Sequence, residues 1–387
     1  MMQPERGFAR SEFEARTAAA QTRMKQLGLS GLLLMTEPEV RYFTGFHTLF
    51  WQSPTRPWFV FLPVAGDVVA VIPEIGAEVM RRTWVKDIRT WNAPQPQDDG
   101  LSLLRDLLAP MAKSGEKIAI LQGHETILRM PLGDYRRLVE SLPGLVWEDG
   151  TGLVRGLRMV KSEAEIEKLR YISKIGSQTF AQVPQFAGEG MALEEVFRSF
   201  RRAGLGNGAD DAPYVVGGAD QGGYHDVISP PTKRPLARGD ILMLDTGMTW
   251  DGYFCDFDRN WSVGPPDAAS KRAYDVLWRA TEVGMEAARP GATCRDIYHA
   301  IQNVTSELAP DGGDVGRFGH GLGMQLTEWP SIASWDETVI EENMVLTIEP
   351  SLSYGDGRVM VHEENIVVRS TGAELLTERA PSELPSI

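Results

Sequence analysis

The stretch DILMLDTGMTWDGYFCDFDRNWSVG, residues 240–264, constrains the fold of this chain more than any other. Two apolar runs flank Thr249-Trp250-Asp251-Gly252, so the spacing predicts a β-hairpin. The runs carry Asp245, Asp256 and Asp258 where a buried strand carries apolar residues. A four-residue turn over 249–252 pairs Met248 with Tyr253 and sets Asp245 opposite Asp256. Facing Cβ atoms of an antiparallel pair lie about 4.5–5.5 Å apart. Two ionised carboxylates held at that spacing repel each other unless a cation sits between them. Asp258, two residues on, shares the face of Asp256. Asp251 reads as a turn residue; Asp245 does not, because an apolar run leads into it.

A second acid pair lies in MVLTIEPSLSYGDGRVMVHEENIVV, residues 344–368. Glu349 ends one apolar run and Glu363 stands between two more, with the turn Tyr354-Gly355-Asp356-Gly357 between them. Glu364 reads as a solvated acid on an exposed sheet face. His320 stands in GHGLGMQLTE, one of only six histidines. A lone histidine is more often structural than a ligand. A dinucleotide loop would need G-x-G-x-x-G, and Met324 occupies the last glycine position. The H-E-x-x-H and G-x-S-x-G patterns are absent. Two Asp, one His and two Glu on separate strands form a site for two divalent metal ions per chain. Mixed nitrogen and oxygen ligands suit Mn, Co, Fe or Zn. Two such ions about 3.5–4 Å apart acidify a water between them.

The rest of the chain frames these segments. A length of 387 residues predicts two domains. Ser11 and Glu14 read as a capping box, Phe13, Ala20, Met24 and Leu27 as a helical stripe, and Gly28 as its stop. Strands are predicted at 31–35, at PWFVFLPV and DVVAVIP around the turn 65–67, and at 117–123, with a helix over GAEVMRRTW. That alternation predicts an α/β domain over 1–157. RMVKSEAEIEKLR marks the boundary: Ser162 and Glu165 form a capping box, and Ile166, Leu169, Ile172 and Ile175 line one helix face. Beyond it, over 158–387, helices near 163–184, 192–203, 268–288 and 294–307 alternate with strand pairs at 240–262 and 344–369, an α+β pattern. A net charge of −14 excludes nucleic acid and anionic membrane as partners. Two cysteines, Cys255 and Cys294, make no disulfide framework, and the N-terminus lacks the apolar core of a signal peptide. A cytoplasmic protein is expected.

These motifs resemble the pita-bread metallopeptidases, the family of aminopeptidase P, prolidase, methionine aminopeptidase and creatinase. YFTGF at 42–46 is similar to the signature of the creatinase-type N-terminal domain. Asp245 and Asp256 keep the spacing of D-x-G…G-Y…D, Arg259 follows them, and RFGHGLG, TIEP and HEEN match the His motif and the two Glu motifs. The resemblance implies a pita-bread catalytic domain preceded by a smaller α/β creatinase-type domain. It implies that Asp245 chelates one metal, that His320 and Glu349 chelate the other, and that Asp256 and Glu363 bridge. It implies a homodimer, in which the aromatic segment 46–59 covers the partner's site or packs between the domains.

Four positions depart from the proline-specific pattern. Thr327 and Ile228 stand where such peptidases carry histidines, Val361 stands for a frequent arginine, and Asp258 replaces a usual threonine. His225 is the nearest substitute for the histidine missing at 228. Glu363 or Glu328 could shuttle the proton to the leaving nitrogen. The resemblance thus implies a hydrolase of amide-type C–N bonds in a small peptide, of the Xaa-Pro aminopeptidase or dipeptidase kind. A second reading is a small-molecule enzyme on the same scaffold, similar to ectoine hydrolase or to a dimethylsulfoniopropionate lyase with Asp258 as base. A third is a catalytically inactive peptidase-like binding module.

Overall fold

The structure, a computed structural model, describes residues 3–53, 56–309 and 316–387. They form two compact units, Glu5–Arg158 and Met159–Ile387, the latter joined by residues 3–4. No helix among the described residues is long and apolar enough to cross a membrane.

The first unit is built on a six-stranded mixed sheet. Its strand order is 87–91, 69–73, 59–63, 31–34, 117–120, 146–149. The opening helix runs Arg10–Leu27 and stops at Gly28, which adopts φ +66°. Its first turn differs from the expected capping box. The helix starts before Ser11, no side chain caps it, and Glu14 instead accepts from Arg10 Nε at 2.8 Å. Leu27 is 58% exposed; Thr17 completes the buried stripe with Phe13, Ala20 and Met24. Leu27 sits seven residues after Ala20, yet the chain turns away there to enter the sheet. In the segment 46–59, Phe46, Trp51 and Trp58 are buried, with Phe46 and Trp58 ring centroids 5.1 Å apart. Arg129 stacks 4.7 Å over Trp51 and donates to the Ser53 carbonyl at 2.7 Å. The segment is thus anchored in its own unit and turns Leu49 outward, while residues 54 and 55 lie outside the described residues.

The second unit opens on the helix Glu163–Phe180. The expected capping box is present: Glu165 N donates to Ser162 Oγ, and Ser162 N donates to Glu165 Oε2. Ile166, Leu169, Ile172 and Ile175 are buried. One sheet has the order 257–262, 240–250, 211–221, with the short strand Tyr253–Phe254 also on 240–250. A second has the order 328–331, 320–321, 345–348, 364–369, 372–375. The long strand Asp211–Gln221 is absent from the sequence reading, because DAPYVVGGADQ looks like a loop. It becomes a strand by pairing with 240–250 from Asp211↔Thr249 to Gln221↔Asp240. That pairing satisfies backbone groups that would otherwise be buried unbonded.

Candidate metal centre

The hairpin 240–262 brings its aspartates together in a register two residues from the expected one. The turn is Asp251-Gly252 alone, with φ of +46° and +72° at the two central positions. Those signs match the tight turn that suits twisted strands, for which Asp-Gly is a favoured pair. Trp250 therefore pairs with Tyr253, and Asp245 faces Asp258 instead of Asp256. A shift of two residues preserves the face. Asp245, Asp256 and Asp258 still point to one side, and Asp256 lies diagonally from Asp245.

The two glutamates come from a second hairpin, interrupted midway. Val345–Ile348 pairs with Glu364–Val367, and Ser351–Tyr354 pairs with Arg358–Val361, in one continuous register. The interruption holds Glu349 and Glu363 opposite one another. Pro350 has no N–H to donate, although its carbonyl still accepts from His362 N at 3.1 Å. The side chain of Asn365 ties this hairpin to the first: its Oδ1 accepts from Asp256 N at 3.1 Å and its Nδ2 donates to the Asp256 carbonyl. Asn365 lies within HEEN but has no role in the sequence reading. An amide that copies the peptide group is its contribution.

His320 enters from the strand His320–Gly321. Gly319 has φ +132°, and a Cβ there would lie 2.2 Å from the Thr347 carbonyl oxygen. The glycine lets the backbone press onto the strand carrying Glu349. His320 N donates to Thr347 Oγ1 at 3.1 Å. Its Nδ1 lies 2.9 Å from the Gly321 carbonyl, which can only accept. The proton is therefore on Nδ1, and Nε2 presents its lone pair to the carboxylates. Nε2 is 3.5 Å from Asp256 Oδ2 and 4.0 Å from Glu349 Oε2. Burial, then the positive charge of Arg317, holds the ring neutral by lowering its pKa to about 4.

Ligand atoms of Asp256, His320 and Glu363 all lie within 4.8 Å of one another. Atoms bound about 2.1 Å from one ion lie roughly 3–4 Å apart, so a small contraction around a cation closes this group. Asp245 Oδ1, Asp258 Oδ2 and Glu363 Oε1 are buried with no hydrogen-bond partner among the described residues. Burial raises Asp245 to about 7, against hydrogen bonds from Tyr214 and the Thr246 amide. Burial and then Asp245 raise Glu349 to about 8. Asp256 is pushed well up by burial, then by Asp245 and Glu349; Glu363 by burial, then by Glu349 and Asp256. Acids arranged to repel, with unbonded oxygens converging on a neutral imidazole, fit divalent cations and little else. A cavity of about 250 Å³ opens onto Asp245, Asp256, His320 and Glu349.

Other expected site residues lie elsewhere. His225 is exposed, with Nδ1 3.2 Å from the Gly357 carbonyl; Val227, not His225, borders the cavity. Glu328 is buried against Lys161 Nζ at 3.1 Å and accepts from Gln325 N, so it braces the glycine loop. Asp258 is buried behind the cavity wall, with Oδ1 3.2 Å from Asn260 Nδ2. Glu364 is not a solvated surface acid. It is fully buried between Arg259 at 2.9 Å and Arg379 at 3.1 Å. Two wall residues escape the sequence reading: Tyr214, on the unforeseen strand, and Arg317. Arg317 stands in the quoted motif RFGHGLG, three residues before His320, so its position was visible there.

Comparison with known proteins supplies a family context. Residues 16–160 match the model of the Creatinase/Prolidase N-terminal domain, and residues 167–370 that of Metallopeptidase family M24. A protein named probable dipeptidase PepE from Mycobacterium bovis is 28% identical over 383 residues, 98% of each chain. The Xaa-Pro dipeptidase of Pyrococcus furiosus is 28% identical over 232 residues, 58% of this chain and 65% of its own. The crystal structure of dipeptidase PepE from Mycobacterium ulcerans is similar with a TM-score of 0.84 at 28% identity, over 98% of this chain and 99% of the other. The expected pita-bread fold, with its creatinase-type N-terminal domain, is thus the fold of this chain.

Proposed function

Because this chain belongs to metallopeptidase family M24, we propose that it is a two-metal dipeptidase for Xaa-Pro-type dipeptides. The reading is carried by one observation: Asp245, Asp256, Glu349 and a neutral imidazole border one small cavity, and Glu363 lies within ligand distance of Asp256 and His320. Asp245, Asp256, His320, Glu349 and Glu363 would hold two divalent ions, of Mn, Co, Fe or Zn. Such ions supply Lewis acidity to a peptide carbonyl and to water. The chain's own residues do the rest. Tyr214 borders the cavity beside Asp245 and favours its ionised form. Burial and Arg317 keep His320 neutral, and its Nδ1–H on the Gly321 carbonyl leaves the Nε2 lone pair for the cluster. Glu349 opens to the cavity beside Asp245 and Asp256, with a third of its side chain exposed. We assign it, in place of Glu363 or Glu328, to carry a proton from the attacking water to the leaving nitrogen. Apolar Leu326, Val227 and Val361 would receive the substrate's side chain. We further propose a cytoplasmic homodimer.

The test is a substrate panel run after reconstitution with each metal. Xaa-Pro dipeptides should be cleaved, chelation should stop it, and Asp256→Asn should lower kcat/KM by roughly 1,000-fold or more, with bound metal lost. Turnover of ectoine or dimethylsulfoniopropionate, with every dipeptide left intact, would replace this reading with the small-molecule one. An intact ligand set argues against an inactive binding module. Absence of bound metal would revive it.

A further inference from the structure

We propose that Arg379 is a positioning residue of the metal centre, locking the Arg259–Glu364 pair that sets the spacing between Asp256 and Glu363. This rests on the two-metal reading above. Asp256 and Glu363 each precede a strand, Phe257–Ser262 and Glu364–Arg369, and those strands belong to different sheets. No shared ladder of backbone hydrogen bonds therefore fixes their separation. Side chains do so instead. Asn365 holds both backbone groups of Asp256. Arg259 Nη1 donates to the Asp258 carbonyl at 2.6 Å and to the Glu363 carbonyl at 2.8 Å. One nitrogen thus spans both ligand-bearing segments.

The other nitrogen of Arg259 is gripped by a distant part of the chain. Its Nη2 donates to Glu364 Oε2 at 2.9 Å and to the Glu378 carbonyl at 2.6 Å. The residues on either side of Glu378 close on the same pair. Thr377 Oγ1 donates to Glu364 Oε2, Arg379 Nη1 to Glu364 Oε1 at 3.1 Å, and the Ala380 amide to Oε1 at 3.0 Å. Glu364 is fully buried, so these donors take the place of water around it.

Arg379 ties that corner to the helix Ala268–Ala287. Its guanidinium stacks 4.5 Å from the Trp278 ring, and its Nη2 donates to the Trp278 carbonyl and to Thr281 Oγ1, both at 2.8 Å. The next residues are held as well: Tyr274 donates to the Pro381 carbonyl at 2.7 Å, and the Ser262 amide to the Pro385 carbonyl at 2.8 Å. A planar fork that serves Glu364 on one nitrogen and a helix on the other fixes direction as well as charge. Arg379 does not border the cavity, so it acts through Glu364 and Arg259 and not on substrate.

The experiment measures manganese affinity by calorimetry on the full chain, in wild type, Arg379→Met, Arg379→Lys, Thr377→Val and Leu384→Ala. Each protein is kept below its own melting transition in chelator, so that only folded chain is titrated. Leu384 is buried in the same C-terminal segment but packs in a cluster with Leu277 and Met360, so its loss reports stability alone. Arg379→Met should weaken manganese binding about 10- to 100-fold. Arg379→Lys, which keeps the charge but not the fork, should fall between it and wild type. Thr377→Val should weaken binding in the same direction, and it carries the test if Arg379→Met does not fold. Leu384→Ala should melt earlier and keep wild-type affinity. Wild-type affinity in folded Arg379→Met, or in Thr377→Val where that variant carries the test, would overturn the assignment. So would a loss in Leu384→Ala as large as in Arg379→Met. A wild type that binds no manganese overturns the two-metal reading and this inference with it. Failure to cleave dipeptides bears on the dipeptidase reading alone, because the affinities decide the positioning role without substrate.

Discussion

Glu363 and Glu364 are neighbours in sequence and opposites in environment. Glu364 is fully buried, and burial alone would raise its pKa; Arg259, His362 and Arg379 outweigh that and hold it low. Glu363 is pushed up by burial and by further carboxylates, meets only a neutral imidazole besides them, and its Oε1 has no hydrogen-bond partner among the described residues. Glu364→Gln would leave Arg259 buried without its counter-charge, at a cost of about 3 kcal/mol. In the chelated protein near neutral pH, Glu363→Gln should have the opposite sign, because it removes an acid that the fold strains to contain. Urea unfolding of both variants decides this. Destabilisation by Glu363→Gln as large as by Glu364→Gln would mean that the cluster does not repel as described. The sequence places both acids between apolar runs but cannot distinguish them. What separates them is a guanidinium from another strand and another from residue 379.

Two glycines act at the scale of the element, for different reasons. Gly252 completes a hairpin turn with φ +72° and has a conformational role. Gly319 has φ +132° and also a steric role, since its Cα packs on the Thr347 carbonyl. Gly252→Ala should cost about 1 kcal/mol and leave metal binding intact. Gly319→Ala should cost more than about 2 kcal/mol and weaken metal retention, because His320 moves with the backbone. Thermal melts and metal analysis on the pair test this. Full metal content in Gly319→Ala would show that the strand does not set the histidine. The hairpins themselves were legible from alternation and turn residues. Their registers were not, because a two-residue slip keeps every side chain on its face. The strand Asp211–Gln221 was hidden because its Gly and Asp residues favour turns until a neighbour supplies hydrogen bonds.

For the whole molecule, the acid cluster couples folding to pH and to metal. Burial holds Asp245 at about 7 and Glu349 at about 8, both above their ordinary values. Below the ordinary values both states are protonated and the shift has no effect. As pH rises, the unfolded chain ionises first, so it binds fewer protons than the folded one and stability falls. The fall continues until the folded groups ionise, near pH 7 to 8. With chelator, the melting temperature should drop between about pH 5 and about pH 8; with manganese the drop should shrink or reverse, since metal binds the ionised form. Parallel curves with and without metal would contradict the coupling. The sequence by itself determined the two-domain plan and the buried face of the helix Glu163–Phe180, and it nominated the five side chains proposed as ligands, because each follows from short-range periodicity and residue chemistry. Only the tertiary structure decided that Asp258 faces Asp245, that His225 and Glu328 lie away from the cavity, and that Tyr214 and Arg317 border it. Those facts depend on how distant strands pack, and contacts between residues far apart in the chain leave no period to read.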